Sequence, residues 1–265
     1  VDVVLTNENP VTATGWDGHT LTKLGAGTLI LSAANTYSGA TEIMEGVLQT
    51  NIENAFALSN AVTVNNGAVL NMNDNNQTAQ NLTGDGNILL GSGTLTVSGA
   101  NDTTFDGNIS GTGALIKTGT GTLTFSGPNA YSGGTTINTG GIIITNYDSL
   151  GTGAINNNAT LELNLAADGI LTNNLSGNGA LIKTGAGNTT LSSSQNPTAG
   201  NVTVSGGSLS LAAGTSFQAG GNYITQNGTA TILENGAQLT VLGTMTQNAD
   251  ASLSVAVGGG APISV

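Results

Sequence analysis

Lys23, Lys117 and Lys183 are the whole cationic complement of a 265-residue chain, and each fills the same slot of a repeated phrase. A row of ammonium groups could hold an anionic glycan. Position within a repeat explains the same recurrence more simply, with each lysine closing a corner by capping carbonyls or pairing with a neighbouring acid. Tyr37 and Tyr131 also recur at matching places. Their rings could stack on sugars, although a repeat tyrosine more often packs over the adjacent coil and hydrogen-bonds its hydroxyl. His19 is the only histidine, so any Ser–His–Asp triad would run through it. It clusters with Trp16, Asp17 and Gly18 near one end, ahead of the first strong repeat, and a single histidine without positional support is rarely catalytic. Glycoside hydrolysis needs two carboxyls at a set separation, and Glu42 with Glu45 or Asp102 with Asp106 could provide them only through folding. The acids fit better as a solvated, self-repelling surface. With no D-x-D-x-D-G loop or G-G-x-G-x-D tandem, no calcium motif is present. The G-x-G strings at Gly25–Gly27 and Gly119–Gly121 do not open a helix in a βαβ unit, so they do not announce a phosphate cradle. No catalytic residue, metal or cofactor is expected.

The elements that must position these residues are short strands. Apolar residues make up 38% of the chain, yet aromatic residues are 3% and charged residues 7%. Solubility therefore falls to Asn, Thr, Ser and Gly, unlike a typical enzyme with about a quarter of its residues charged. A net charge of -12 argues against nucleic acid, which needs Lys and Arg to displace counterions, and against docking on an anionic membrane. The absence of cysteine removes disulfides, thiolate nucleophiles and sulfur-ligated metal. No apolar run approaches the ~18 residues of a membrane helix, so direct membrane insertion by this segment is not expected. The valine start suggests a segment cut from something longer, and the terminal GGGAPISV reads as a cut through a continuing linker rather than a cap.

Strand signals occupy Leu29–Leu31, Val47–Leu48, Val62–Val64, Ala68–Met72, Leu95–Val97, Leu123–Phe125, Ile142–Ile144, Leu161–Leu165, Val202–Val204, Leu209–Leu211, Leu239–Val241 and Leu253–Val257. Alternation puts Leu95 with Val97 and Leu123 with Phe125 on one face, a threonine pointing the other way in each pair. It likewise pairs Leu29 with Leu31. One helical turn could form in 51–60 and another near Ala166. Gly and Asn corners accept positive φ, and Asn can stack its amide on the same residue a coil away. Proline is confined to Pro10, Pro128, Pro197 and Pro262, as expected of strands paired on both sides. The expectation is an all-β, right-handed parallel β-helix, a single-stranded solenoid with three short strands per coil. Roughly 20–25 residues per coil and about a dozen coils are anticipated over 1–265, taken as one elongated segment of a larger protein.

The repeat copies span 21–50, 115–145 and 181–211. In the first, Gly25, Gly27, Leu29, Ser32, Asn35, Tyr37, Ser38, Gly39, Thr41 and Ile43 carry a phrase that returns as Gly119, Gly121, Leu123, Ser126, Asn129, Tyr131, Ser132, Gly133, Thr135 and Ile137. The third, decayed copy keeps Lys183, Gly185, Gly187 and Asn196 but has Thr198 in the tyrosine position. This phrase resembles the passenger-associated transport repeat of bacterial autotransporters. The resemblance implies a passenger exported through an outer-membrane barrel and displayed on a Gram-negative surface. It also implies an adhesin of the AIDA or antigen 43 type, acting in aggregation, biofilm formation or host attachment. Partners would then be a like rod, a host matrix protein or a glycan. A β-helical stalk presenting a missing domain, or a polysaccharide-active enzyme, are the competing readings.

Overall fold

The structure is a computed structural model that describes residues 19–56, 59–193 and 197–256. Trp16, Asp17, Gly18, Asn196, Pro10, Pro262 and Val257 lie outside the described residues, as do both chain ends. The chain divides into two compact units. One comprises residues up to Thr135 together with Asp148–Thr152, and the other comprises Thr136–Tyr147 and the residues from Gly153.

In the first unit, Leu21–Lys23, Thr41–Ile43, Val62–Val64, Leu82–Gly84, Thr103–Phe105 and Thr122–Phe125 form one parallel ladder. A second ladder joins Thr28–Leu31, Val47–Thr50, Val69–Asn71, Asn87–Gly91, Asn108–Gly111 and Ala130–Tyr131. The third runs through Gln77–Ala79, Leu95–Val97 and Leu115–Lys117. The chain visits the three faces in turn, so each strand pairs with the one a full coil away.

The second unit repeats the plan. Its first ladder holds Gly141–Ile144, Thr160–Leu163, Ala180–Lys183, Val202–Val204, Tyr223–Thr225 and Met245–Gln247. Gly169–Leu171, Asn188–Leu191, Ser208–Leu211, Ala230–Leu233 and Ser252–Val255 form its second. On the third face Ile155–Asn157 pairs Leu175–Ser176, and Thr198–Ala199, Ser216–Ala219 and Gln238–Val241 follow. The protein is thus an all-β parallel β-solenoid with three strands per coil and about twelve turns. Register partners are 19 residues apart at Gly141↔Thr160 and 22 at Tyr223↔Met245, toward the short end of the expected coil.

Three-residue strands explain the narrow core. The first and third residues turn inward and the second faces out, so Leu95 and Val97 are buried while Thr96 is not. Phe105 and Phe125 of adjacent coils meet edge to face at 6.4 Å. At the Leu29–Leu31 pair only Leu31 is buried and Leu29 is half-exposed.

Corners are tight in two senses. Gly113 stacks so closely on the preceding coil that a Cβ would land 1.9 Å from the Gly93 carbonyl oxygen. Gly67 instead needs its φ of +76° to close the Asn65–Ala68 turn, where Ala68 N–H donates to Asn65 O at 2.9 Å. Asn and Asp side chains stitch coil to coil, more often through main-chain N–H and C=O groups than amide on amide. Asp102 Oδ1 accepts from Thr122 N–H, Asn201 Oδ1 from Asn222 N–H, and Asn222 Oδ1 from Thr244 N–H. Asn73 Nδ2 donating to Asn51 Oδ1 at 3.0 Å is the expected amide stack.

The helical turn expected near Ala166 does not form, and the described part of 51–60 shows none, residues 57 and 58 lying outside the described residues. Residues 51–56 make non-helical turns around Asn54, whose positive φ is incompatible with a right-handed turn. Near Ala166 the chain bends between Thr160–Leu163 and Gly169–Leu171. Among the described residues the one helical element is a 3-10 turn at Tyr147–Leu150.

Candidate functional site

Each repeat lysine ends a strand and enters the core by its stem. Lys23 Nζ donates to Leu24 O at 3.0 Å, Gly25 O at 2.6 Å and Glu45 O at 3.0 Å. Lys117 Nζ donates to Gly119 O, and Lys183 Nζ to Gly185 O and to Gly206 O at 3.2 Å. Carbonyl dipoles thus surround an ammonium that has left water. Burial pulls the Lys117 and Lys183 pKa values below the ordinary lysine value, with Asp102 and Asp168 respectively pushing back. Within the first unit, Lys23 closes a first-face strand and Lys117 a third-face strand, so they form no cationic row.

Tyr37 and Tyr131 are 1% and 0% exposed, leaving no ring face for a ligand. Each hydroxyl sits 2.6 Å from a threonine, Thr41 and Thr135, four residues on. Burial raises both tyrosine pKa values above the ordinary range, with the threonine bond acting weakly the other way. A third buried pair, Tyr223 with Thr231 at 2.9 Å, occurs outside the repeat.

The carboxyls disperse. Asp102 and Asp106 flank the strand Thr103–Phe105, their Cα atoms about 13 Å apart along it, and each carboxylate is engaged separately, Asp102 Oδ1 by Thr122 N–H and Asp106 Oδ1 by the Ser126 hydroxyl. Glu42 points out from mid-strand, whereas Glu45 lies past its end at the corner. His19 is exposed and its carbonyl accepts from Gly39 N–H at 3.0 Å. Among the described residues no group of three or more His, Asp or Glu could hold a metal, and no helix is long and apolar enough to cross a membrane.

What the fold presents instead are ladders. On the second face of the first unit the outward column runs Ile30, Gln49, Asn71, Leu89, Ser110 and Ala130. Asn71 Nδ2 donates to Gln49 Oε1 at 3.2 Å, and Gln49 Nε2 to Asn51 Oδ1 at 2.8 Å. Ile30 and Leu89 interrupt this polar strip at 37% and 41% exposure. On the first face Thr63 and Thr83 hydroxyls meet at 2.9 Å. Such strips offer many weak contacts in register.

Tyr147, which no sequence motif singles out, differs from the repeat tyrosines. It is only half-buried, at the start of the 3-10 turn. Its hydroxyl lies 3.1 Å from Ala167 O, 3.2 Å from Asn188 O and 3.1 Å from Thr189 Oγ1. The ring covers Gly169, where a Cβ would fall 2.3 Å from Tyr147 Cε2. Partial burial raises its pKa, opposed by Thr189 and aided by Asp168. The available signal was the glycine one coil later, which leaves room for a flat ring.

Comparison with known proteins bears on this surface. The family described as passenger-associated-transport-repeat matches residues 21–49, 115–144 and 181–211. The adhesin BmaC autotransporter of Brucella suis biovar 1 (strain 1330) is 37% identical over 148 residues, 51% of this chain. The uncharacterized lipoprotein YdeK of Escherichia coli (strain K12) is 29% identical over 153 residues, 57% of this chain. The matched stretches are 4% and 11% of the lengths of those two proteins.

Proposed function

We propose that this stretch of an autotransporter passenger, a membership carried by its three transport repeats and its adhesin relative, mediates attachment outside the cell. The observation that carries this reading is the 37% identity to an adhesin autotransporter over half the chain. The role is non-enzymatic, and the exported segment works through its outward ladders rather than through a cleft. Asn, Gln and Thr strips make many shallow contacts at once, and multivalent display on a cell converts weak single contacts into firm adhesion. Cell aggregation, biofilm formation and attachment to host matrix or glycans are the outcomes of such a surface.

The test compares cells displaying the full-length parent protein with cells displaying it without residues 19–256. Loss of settling, biofilm mass or matrix and glycan attachment on deletion supports the proposal. Unchanged adhesion at equal surface display would assign the segment to a spacer and end the adhesive reading.

A further inference from the structure

We propose that Asn227–Gly228 in the second unit is a site of covalent self-modification, where the asparagine amide is lost to water and the chain gains a carboxylate. Four Asn-Gly pairs occur in the sequence, at Asn66–Gly67, Asn178–Gly179, Asn227–Gly228 and Asn235–Gly236. The reaction needs the glycine main-chain nitrogen to attack the asparagine Cγ, and glycine carries no side chain to block the approach. The nitrogen first gives up its proton to hydroxide. The N–Cγ bond then forms, the Cγ–Nδ2 bond breaks, and ammonia departs to leave a five-membered succinimide. Water opens the ring. Cleavage at Cγ gives aspartate, whereas cleavage at the main-chain carbonyl gives isoaspartate, which adds one methylene to the backbone.

The fold sets which pair reacts. Asn227 and Gly228 are the exposed central residues of a turn closed by Thr229 N–H on Gln226 O at 3.2 Å. A positive φ at Gly228 (+70°) and not at Asn227 makes this a type II turn. Gly228 N–H and the Asn227 amide bond no described residue, and open space surrounds the position of a Gly228 Cβ. Attacker and target are both free to swing together. Asn66–Gly67 and Asn235–Gly236 occupy turns of the same form, but each carries a restraint. Asn66 Nδ2 donates to Asp85 Oδ2 at 3.3 Å, which holds the amide under attack. Asn235 O accepts from Gly214 N–H at 3.2 Å, which holds the peptide plane that must turn. At Asn178–Gly179 the attacker itself is engaged, with buried Gly179 donating its N–H to Asn157 O at 2.8 Å. Modification at Asn227 places a new negative charge, or a lengthened turn, between Tyr223–Thr225 and Ala230–Leu233.

This site needs no partner and stands whether or not the segment is adhesive. The purified full-length passenger is incubated in mildly alkaline buffer, folded and in urea, and its peptides are weighed over time. Each event exchanges ammonia for water, a gain of about 1 Da, and fragmentation tells aspartate from isoaspartate. In the folded protein Asn227 should convert about fivefold faster than Asn66 or Asn235, the factor for breaking one hydrogen bond first. Asn178 should be the slowest. In urea the four pairs should approach one rate, because the restraints belong to the fold. Asp85→Ala, at an exposed corner, should release Asn66 and quicken it alone by about the same factor. Asn227 still intact when Asn66 or Asn235 has converted, equal rates at all four in the folded protein, or an Asn66 rate unmoved by Asp85→Ala overturns the assignment.

Discussion

The intact repeat of the first unit and the decayed repeat of the second keep the same lysine corner and differ in the residues after it. In the intact copy Asn129 spans three coils, with Oδ1 accepting from Ile109 N–H at 2.7 Å and Nδ2 donating to Ser149 O at 2.5 Å. Tyr131 then plugs the interior, tied to Thr135. In the decayed copy Thr198 is half-exposed at the tyrosine position, and the second unit draws its buried tyrosine–threonine pair from Tyr223 and Thr231. Lysine corner and tyrosine plug are therefore separate devices. The corner depends on carbonyls that every coil supplies, whereas the plug needs a large void and a threonine placed to meet the hydroxyl.

The tyrosine gives the largest contrast. Tyr131→Ala should cost about 3–5 kcal/mol, from the cavity and the orphaned Thr135 hydroxyl. Thr198→Ala should cost less than about 0.5 kcal/mol, since a half-exposed threonine fills no void. Urea unfolding of the purified passenger measures both. Equal effects would mean that the decayed copy still packs as a repeat does. Tyr131→Phe keeps the ring and should cost about 1 kcal/mol.

The lysines test the shared part. Lys117→Met retains the buried stem but removes the donor from Gly119 O, an expected loss of about 1–3 kcal/mol. Lys183→Met leaves two carbonyls without that donor, Gly185 O and Gly206 O, and should cost more within the same range. Denaturation midpoints decide the order. If either substitution stabilises, desolvating the ammonium costs more than its carbonyl bonds return, and the corner is not held by charge.

How far the sequence disclosed this molecule depended on what turned inward. Coils with apolar inward residues were legible, as at Val62–Val64, Leu95–Val97 and Val202–Val204, whose bounds the alternation predicted. Gln77–Ala79 and Ile155–Asn157 were not, because one buried end of each is polar. Gln77 lies in the core with Nε2 donating to Ile52 O at 2.7 Å and Oε1 accepting from Ala55 N–H at 2.9 Å. Asn157 is held likewise between Ala180 O and Ala159 N–H. A buried amide satisfied by the main chain looks like a loop residue to any reading based on hydrophobicity. The coil spacing would have placed Gln77–Ala79, one coil before Leu95–Val97. Tyr147 escaped for the opposite reason: it belongs to no repeat, and its partners lie one and two coils ahead in the chain.

Alkaline pH separates plug from corner by sign. Tyr37 and Tyr131 in the first unit and Tyr223 in the second have pKa values raised by burial. The unfolded chain releases these protons above about pH 10 while the folded chain keeps them. Their contribution is therefore intact below pH 10 and falls by about 1.4 kcal/mol per pH unit per tyrosine above it. Lys117 and Lys183 act oppositely. Their folded pKa values are lowered, so the folded chain sheds protons first, and stability gains as pH climbs from those values toward about 10.4. A shallow rise approaching pH 10 should precede a steep fall. Hydrogen exchange follows the fall in each unit, where Tyr37 and Tyr131 contribute in the first and Tyr223 with the less buried Tyr147 in the second. Tyr131→Phe should halve the slope in the first unit and leave the second unchanged. A slope insensitive to that substitution would show that the Tyr131 plug does not set the alkaline loss.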